Sequence, residues 1–275
     1  MTVSADKQCE ILAVALQKGG VGKTTTTINL GANLAAMGHR VLVIDMDQQA
    51  HSTKGLGIEL DAEDASMYEV LHPDRTMRVP LAKVIVASQF GIDVAPGHLA
   101  LKELERTGLG SGGQLRLARQ LDDIEGYDFV LLDCPPALGE LTTAALAAAD
   151  YVSLHVFGGA GNAALIDAGR IARMKPSACL LNLARGEVVD LDALAGALDA
   201  GRLGGVALDA YVTEPPDVSH PVFRHPRAVF MPHSGADTVE ALENVGLMNI
   251  ADIQELMAGG RPARVLNPEV FEDRR

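Results

Sequence analysis

Tryptophan is missing from this sequence and aromatic residues make up only 4% of it, while aliphatic residues abound. That balance suits a layered α/β fold with an Ala/Leu/Val core better than a β-sandwich. Cysteine is scarce too. Cys9, Cys134 and Cys179 lie far apart, follow no metal-ligand spacing and leave one thiol over in any disulfide scheme, so a reducing cytoplasm is the expected compartment. No apolar run reaches membrane-spanning length, and the opening MTVSADKQCE is polar, without the hydrophobic stretch of a secretion signal. Positive charge is also short: 23 Lys and Arg stand against 36 Asp and Glu, for a net charge of −13. Such a surface repels nucleic acid and anionic membrane in general, although it leaves room for a small basic patch.

What is present begins with a chain of 275 residues that is 48% hydrophobic, ample for a buried core. An apolar run, Ile11 to Leu16, leads into QKGGVGKTTTT and then into Thr26, Ile28, Leu30, Ala32 and Leu34, which reads as strand, glycine loop and helix. Gly20 to Thr25 ends like a P-loop, G-x-x-x-x-G-K-[ST], but that pattern has a glycine where Gln17 stands. Glycines allow consecutive N–H groups to face a phosphate chain and the helix N-terminus adds its positive end. Lys23 would reach the β/γ oxygens and Thr24 would offer a hydroxyl to Mg²⁺. Gly19, Gly20, Val21, Gly22, Lys23, Thr24 and Thr25 are therefore the candidate phosphate-binding residues. A tight β-to-α turn that merely needs glycine is the plainer alternative.

Val41 to Ile44 is a β-branched run of the kind buried on both faces of a parallel sheet, and it ends in Asp45-Met46-Asp47. Strand ends in such a sheet open toward the ligand, so both aspartates should emerge beside the loop, where carboxylates can hold the water shell of Mg²⁺ or orient an attacking water. Capping of the next turn is the alternative for either one. Phe129 to Leu132 repeats the pattern and ends in Asp133, placed as a Walker B carboxylate would be. Cys134 reads as small packing rather than as a nucleophile. Between these runs, short strands near 84–86 and 92–95 and helices at 99–104 and 115–121 flank a flexible GLGSGG at 108–113.

KGGVGKTT, VLVIDMDQQA and DFVLLDCPPALGELTTAAL, in that order, resemble the deviant Walker A, Walker A′ and Walker B segments of ParA/MinD-type partition ATPases. The resemblance covers about Ile11 to Asp150. It implies that Lys18 is the signature lysine that reaches the nucleotide of a dimer partner, hence a homodimer. It further implies Lys23 and Thr24 on phosphate and Mg²⁺, Asp45 and Asp133 supporting Mg²⁺, and Asp47 orienting the hydrolytic water. Gln48 stands where the family usually has proline, and Ala144 where it often has asparagine. Both departures bear on control of hydrolysis.

From Ala149 onward the sequence resembles instead the C-terminal part of NAD-dependent D-2-hydroxyacid dehydrogenases. ADYVSLHV, MKPSACLLNLARGEVVDLDALAGALDAGRLGGVALDAY, TEPP, HPVFRHPRAVFMPHSG and NPEV carry the likeness. It implies Arg185 on the substrate carboxylate, His233 as acid/base, Glu214 raising the histidine's pKa and Asp209 facing the nicotinamide amide. A keto acid receiving hydride does need a proton donor and a cation of this kind, but each residue singly also reads as structural. The family's GxGxxG turn, ribose-binding acid and substrate domain are absent, although Gly20-x-Gly22-x-x-Thr25 with Asp45 or Asp47 can be read as a damaged version of that fingerprint.

Both families place a strand after an AAD helix end beside the phosphate-loop strand, so the two segments, 1–150 and 151–275, should share one doubly wound, mostly parallel sheet with helices on both faces. A single α/β domain over 1–275 is expected, with a C-terminal helix at 238–257. A splice inside one sheet suggests an engineered chimera. The expected ligand is ATP with Mg²⁺, turned over slowly if at all, with NAD as the alternative cofactor of a dehydrogenase-like protein. A stable chimera without efficient activity is the third reading. No specific nucleic acid and no membrane is expected as partner.

Overall fold

The computed structural model describes residues 9–15, 20, 22–61, 63–235, 237–265 and 267–271. Three near-continuous apolar runs make the centre of the sheet: β1 (Glu10–Ala15), β2 (Val41–Asp45) and β5 (Phe129–Asp133). Alternate residues of these runs enter opposite cores. Val41, Val43 and Leu131 pack with Ile28, Leu30 and Leu34 of α1 (Lys23–Ala36), whereas Leu42, Ile44, Val130 and Leu132 pack on the other face. Burial on both sides is why these strands carry no polar alternation.

Around them come α2 (His51–Gly55), α3 (Met67–Leu71), β3 (Val86–Ala87), β4 (Asp93–Ala95), α4 (Leu101–Thr107) and α5 (Arg116–Asp122). After β5 follow α6 (Glu140–Ala148), β6 (Tyr151–Leu154), α7 (Ala168–Ile171), β7 (Cys179–Asn182), α8 (Leu191–Asp199), β8 (Gly205–Leu208) and β9 (Ala228–Phe230). The strands form one sheet in the order β3-β4-β2-β5-β1-β6-β7-β8-β9, parallel except for the β3–β4 pair. The expected α/β class, a single mostly parallel sheet with helices, is what the chain forms.

The junction near residue 150 lies inside the sheet. β6 pairs with β1 in parallel, Leu12 opposite Tyr151 and Ala15 opposite Leu154. Asp150 ties the junction on both sides: its carboxylate accepts from Ile11 N at 3.0 Å and pairs with Lys175 at 2.8 Å, and its carbonyl accepts from Cys179 N at 2.8 Å.

The chain forms two compact units, Met1–Pro232 and His233–Arg275. The second unit holds α9 (Val239–Met257), capped by the Thr238 hydroxyl, which accepts from Ala241 N at 3.1 Å. Arg264 clamps this helix, reaching Asp252 at 2.8 and 2.9 Å and the Met248 carbonyl at 2.9 Å. The apolar stripe Val239, Leu242, Val245, Ile250, Ile253 and Leu256 is exposed. No helix among the described residues is long and apolar enough to cross a membrane.

Candidate functional site at the carboxyl ends of β1, β2 and β5

The sheet order reverses at β1, with β2 and β5 on one side and β6 on the other. Crevices at such reversals, beyond the carboxyl ends of the strands, are where open α/β sheets bind ligands. Gly22, with φ of 84°, turns the chain into α1, and Thr26 N donates back to the Gly22 carbonyl at 2.7 Å. A side chain at that φ would be strained. Gly20, at φ 78°, makes a similar left-handed step. Lys18, Gly19 and Val21 lie outside the described residues.

A cavity of about 420 Å³ opens here, lined by Gly20, Gly22, Lys23, Thr24, Thr25 and Asp47 among others. Lys23 is buried, and burial lowers its basicity while the charges of Asp133 and Asp47 oppose that fall. The Thr24 hydroxyl donates to Asp133 Oδ2 at 2.8 Å, joining the first turn of α1 to the end of β5. Ser52 donates to the same oxygen at 2.6 Å. Asp133 Oδ1 is buried and has no partner among the described residues. Burial raises the Asp133 pKa and the Asp47 charge adds to this, while the two hydroxyl bonds and Lys23 pull it down.

Asp45 and Asp133 are neighbours in the β2–β5 register, and both are fully buried. Asp45 is bonded within the turn that follows β2. Its Oδ2 accepts from Thr53 N at 2.8 Å and Thr53 Oγ1 at 2.7 Å, and its Oδ1 accepts from Asp47 N at 3.1 Å. The carboxylate therefore holds the turn into α2, and Asp45 is not among the residues that line the cavity. Burial, reinforced by the charge of Asp133, pushes its pKa up to about 7. Gly97 closes over this knot, its N–H donating to Thr53 Oγ1 at 2.9 Å. Asp47, also buried, lines the cavity and accepts from Gln49 N at 3.0 Å.

Ser52 and Thr53 carry no signal in the sequence beyond being small hydroxyl residues after the aspartates, and only the folding of α2 over the strand ends reveals them. His155, just past β6, is a second addition: its Nε2 stands 3.0 Å from Ser153 Oγ, and burial together with the Lys23 charge lowers its pKa. Cys134 is buried, with its thiol pKa raised by burial and by Asp133, which suits packing and not nucleophilic attack.

The dehydrogenase-like residues follow the later strands. Arg185 is exposed after β7, and its Nη1 donates to the Ala184 carbonyl at 2.7 Å. Asp209 is buried at the end of β8, where its N–H donates to the Asn182 carbonyl at 3.0 Å. Glu214 is exposed on the next loop, and His233, at φ 58°, opens the second unit. The glycine loop after β6 is tied to Glu187, whose carboxylate accepts from Gly159 N at 3.0 Å.

A parallel sheet with a strand–glycine turn–helix unit, a buried lysine and a hydroxyl on a strand-end aspartate defines a doubly wound protein of the P-loop kind. The chain belongs to the AAA domain family, whose model matches residues 9–163, just over half of it. Residues 139–235 match a second family model, the D-isomer specific 2-hydroxyacid dehydrogenase NAD binding domain, so the chain is composite in its likenesses. The Bacillus subtilis sporulation initiation inhibitor protein Soj is 41% identical over 148 residues, covering 54% of this chain and 58% of that protein. The chain thus spans little more than half the length of the curated relatives it matches. The crystal structure of cobyrinic acid a,c-diamide synthase from Mycobacterium smegmatis with bound ATP analog and magnesium is similar at 36% identity and a TM-score of 0.52, over 56% of this chain and 62% of that one. D-lactate dehydrogenase with NAD+ from Lactobacillus jensenii shares the fold at 18% identity and a TM-score of 0.50, over 94% of this chain and 55% of that one.

Proposed function

We propose that the chain binds ATP with Mg²⁺ in the cavity at Lys23 and hydrolyses it slowly at most. The observation that carries this reading is the Thr24–Asp133 contact of 2.8 Å beside the buried Lys23, at the switch point of the sheet. The likeness to a synthase crystallised with an ATP analog and magnesium supports it.

Mg²⁺ suits the donors present. They are hard oxygens, and Asp133 Oδ1, unpartnered among the described residues, would offer an acceptor to a water carried by the ion. Among the described residues no three His, Cys, Asp or Glu side chains cluster as a metal cage. That matches an ion held by one or two carboxylates, waters and phosphate oxygens. Thr24 and Asp133 would hold it, and bound there it would neutralise charge on the phosphates. Lys23 binds phosphate oxygens, and the backbone around Gly20 and Gly22 leaves them room. Asp47, within the same cavity, orients a water toward the terminal phosphate, its own carboxylate held by Gln49 N. Lys18 would complete the site across a homodimer.

Replacing Lys23 by alanine removes a buried charge-assisted contact, so Mg·ATP affinity measured by calorimetry should fall roughly 100-fold. Unchanged affinity overturns the proposal. NADH is the second titrant, because residues 139–235 match an NAD binding domain. Binding of NADH tighter than Mg·ATP, with absorbance change on 2-keto acids, would transfer the site to the dehydrogenase reading. The overlap of the two family matches within 139–163 supports descent of the chain from two lineages joined inside one sheet, as in a constructed chimera.

A further inference from the structure

Four arginines converge in this acidic chain away from the Lys23 cavity. Arg75, Arg78, Arg116 and Arg119 line a separate cavity of about 550 Å³, together with the glycine loop 110–112. The two cavities share no lining residue. Among the described residues none of the four guanidinium groups is in an ion pair with a carboxylate.

Two of the four are fixed without being neutralised. Arg78 donates to the His72 carbonyl at 2.7 Å and the Pro73 carbonyl at 2.6 Å, and Arg116 donates to the Leu71 carbonyl at 2.5 Å and the Leu109 carbonyl at 3.1 Å. Carbonyl partners orient a guanidinium and leave its full charge in place. Arg75 and Arg119, both exposed, have no side-chain partner among the described residues and are free to swing onto a ligand. The nearby Asp74 carboxylate accepts from the Thr76 N–H and hydroxyl at 2.9 Å each, both on Oδ1, and these bonds, with a smaller contribution from the Arg78 charge, hold its pKa below the usual carboxylate value.

The charges press on one another. Burial lowers the Arg116 pKa, and Arg78 and Arg119 lower it further, a repulsion that an anion in the cavity would relieve. Gly110 and Gly112 have φ of 73° and 66°, and the turn they make brings side-chain-free backbone to the rim, where a phosphate oxygen can approach N–H groups closely. Guanidinium forks match phosphate oxygens two at a time. Several cations around a space of this volume fit a small, multiply charged ligand, while the acidity of the whole chain repels an extended polyanion.

We propose that this cavity is a second anion site, for a small molecule carrying two or more phosphates. The probe is inorganic pyrophosphate, titrated calorimetrically at low salt into full-length Lys23→Ala protein, so that the first cavity does not contribute. Pyrophosphate should bind, and Arg75→Ser with Arg119→Ser in the same background should weaken it at least tenfold without changing the melting temperature. Arg75→Lys with Arg119→Lys, which keeps charge but loses the fork, should fall between. No binding to the Lys23→Ala protein, or equal binding after both arginines are replaced by serine, overturns the site. A short DNA duplex binding more tightly than pyrophosphate, through the same arginines, overturns its assignment to a small molecule.

Discussion

Thr53 is the residue whose loss should reveal how the loop after β2 is held. Its hydroxyl donates to Asp45 at 2.7 Å and accepts from Gly97 N at 2.9 Å, and both Thr53 and Asp45 are buried. Thr53→Val keeps the shape and deletes both bonds. A bond to an ionised carboxylate contributes about 1.5–3 kcal/mol, and a stranded buried N–H costs about 1–3 kcal/mol. The variant should therefore lose roughly 4 kcal/mol at pH 8, where Asp45, with its pKa raised to about 7, is charged. Equilibrium urea unfolding reads this directly: at a slope of about 3 kcal/mol per molar, the midpoint should drop by about 1 M. At pH 5 the carboxyl is neutral and the lost bond counts for about 1 kcal/mol, so the drop should shrink. Thr53→Ser should behave like the parent. A midpoint within about 0.2 M of the parent at pH 8, equivalent to about 0.6 kcal/mol, refutes the account.

The remaining predictions concern the same group of side chains. Folding raises the Asp45 pKa from 3.8 to about 7, so the folded state holds a proton that the unfolded state releases. Stability from this group is present in acid and is lost as pH rises between about 4 and 7, by roughly 4 kcal/mol in all. Asp45→Asn should flatten that part of the profile in urea titrations at stepped pH, and a variant as pH-sensitive as the parent contradicts the assignment. A Cβ on Gly97 would stand 2.8 Å from the Asp47 carbonyl and 2.9 Å from Asp45 Oδ1, so Gly97→Ala should cost about 2–3 kcal/mol by overpacking, visible as a lowered melting temperature. Asp133→Asn puts an amide donor among the Thr24 and Ser52 hydroxyls, and it should weaken Mg²⁺-dependent ATP binding at least tenfold while leaving binding of ATP in EDTA nearly unchanged.

The parts of this fold that could be read in advance are those whose cause is local. Val41 to Asp45 and Phe129 to Asp133 are strands because an apolar run bounded by aspartate has one stable home in a parallel sheet, and the register then sets the two carboxylates side by side. Local sequence decides less at α7, which is confined to Ala168–Ile171. Ile166 is drawn into a bridge with Val189, and Asp167 caps the turn by accepting from Arg170 N at 2.8 Å, so no helical turn can start earlier. The hydroxyls on Asp45 and Asp133 were hidden for a different reason. Serine and threonine in a short helix have many equivalent uses, and the choice among them is made by strand ends more than seventy residues away in the case of Ser52 and Asp133.

The arginine cavity extends that point to charge. Arg75 and Arg78 follow α3 while Arg116 and Arg119 share α5, some forty residues on, and each alone reads as a solvated side chain, while GLGSGG beside them reads as a linker. Packing places Leu71 and Leu109 so that their carbonyls anchor Arg116, and the linker becomes a wall. A net charge of −13 predicts repulsion of polyanions at the distance where the protein is a point charge. Within a Debye length, about 8–10 Å at moderate salt, the local set of four cations decides instead. Anion binding at this cavity should therefore weaken steeply with added salt, although the protein as a whole is acidic. A pyrophosphate affinity that stays flat between low and physiological salt would mean that the guanidinium charges are not what the ligand meets.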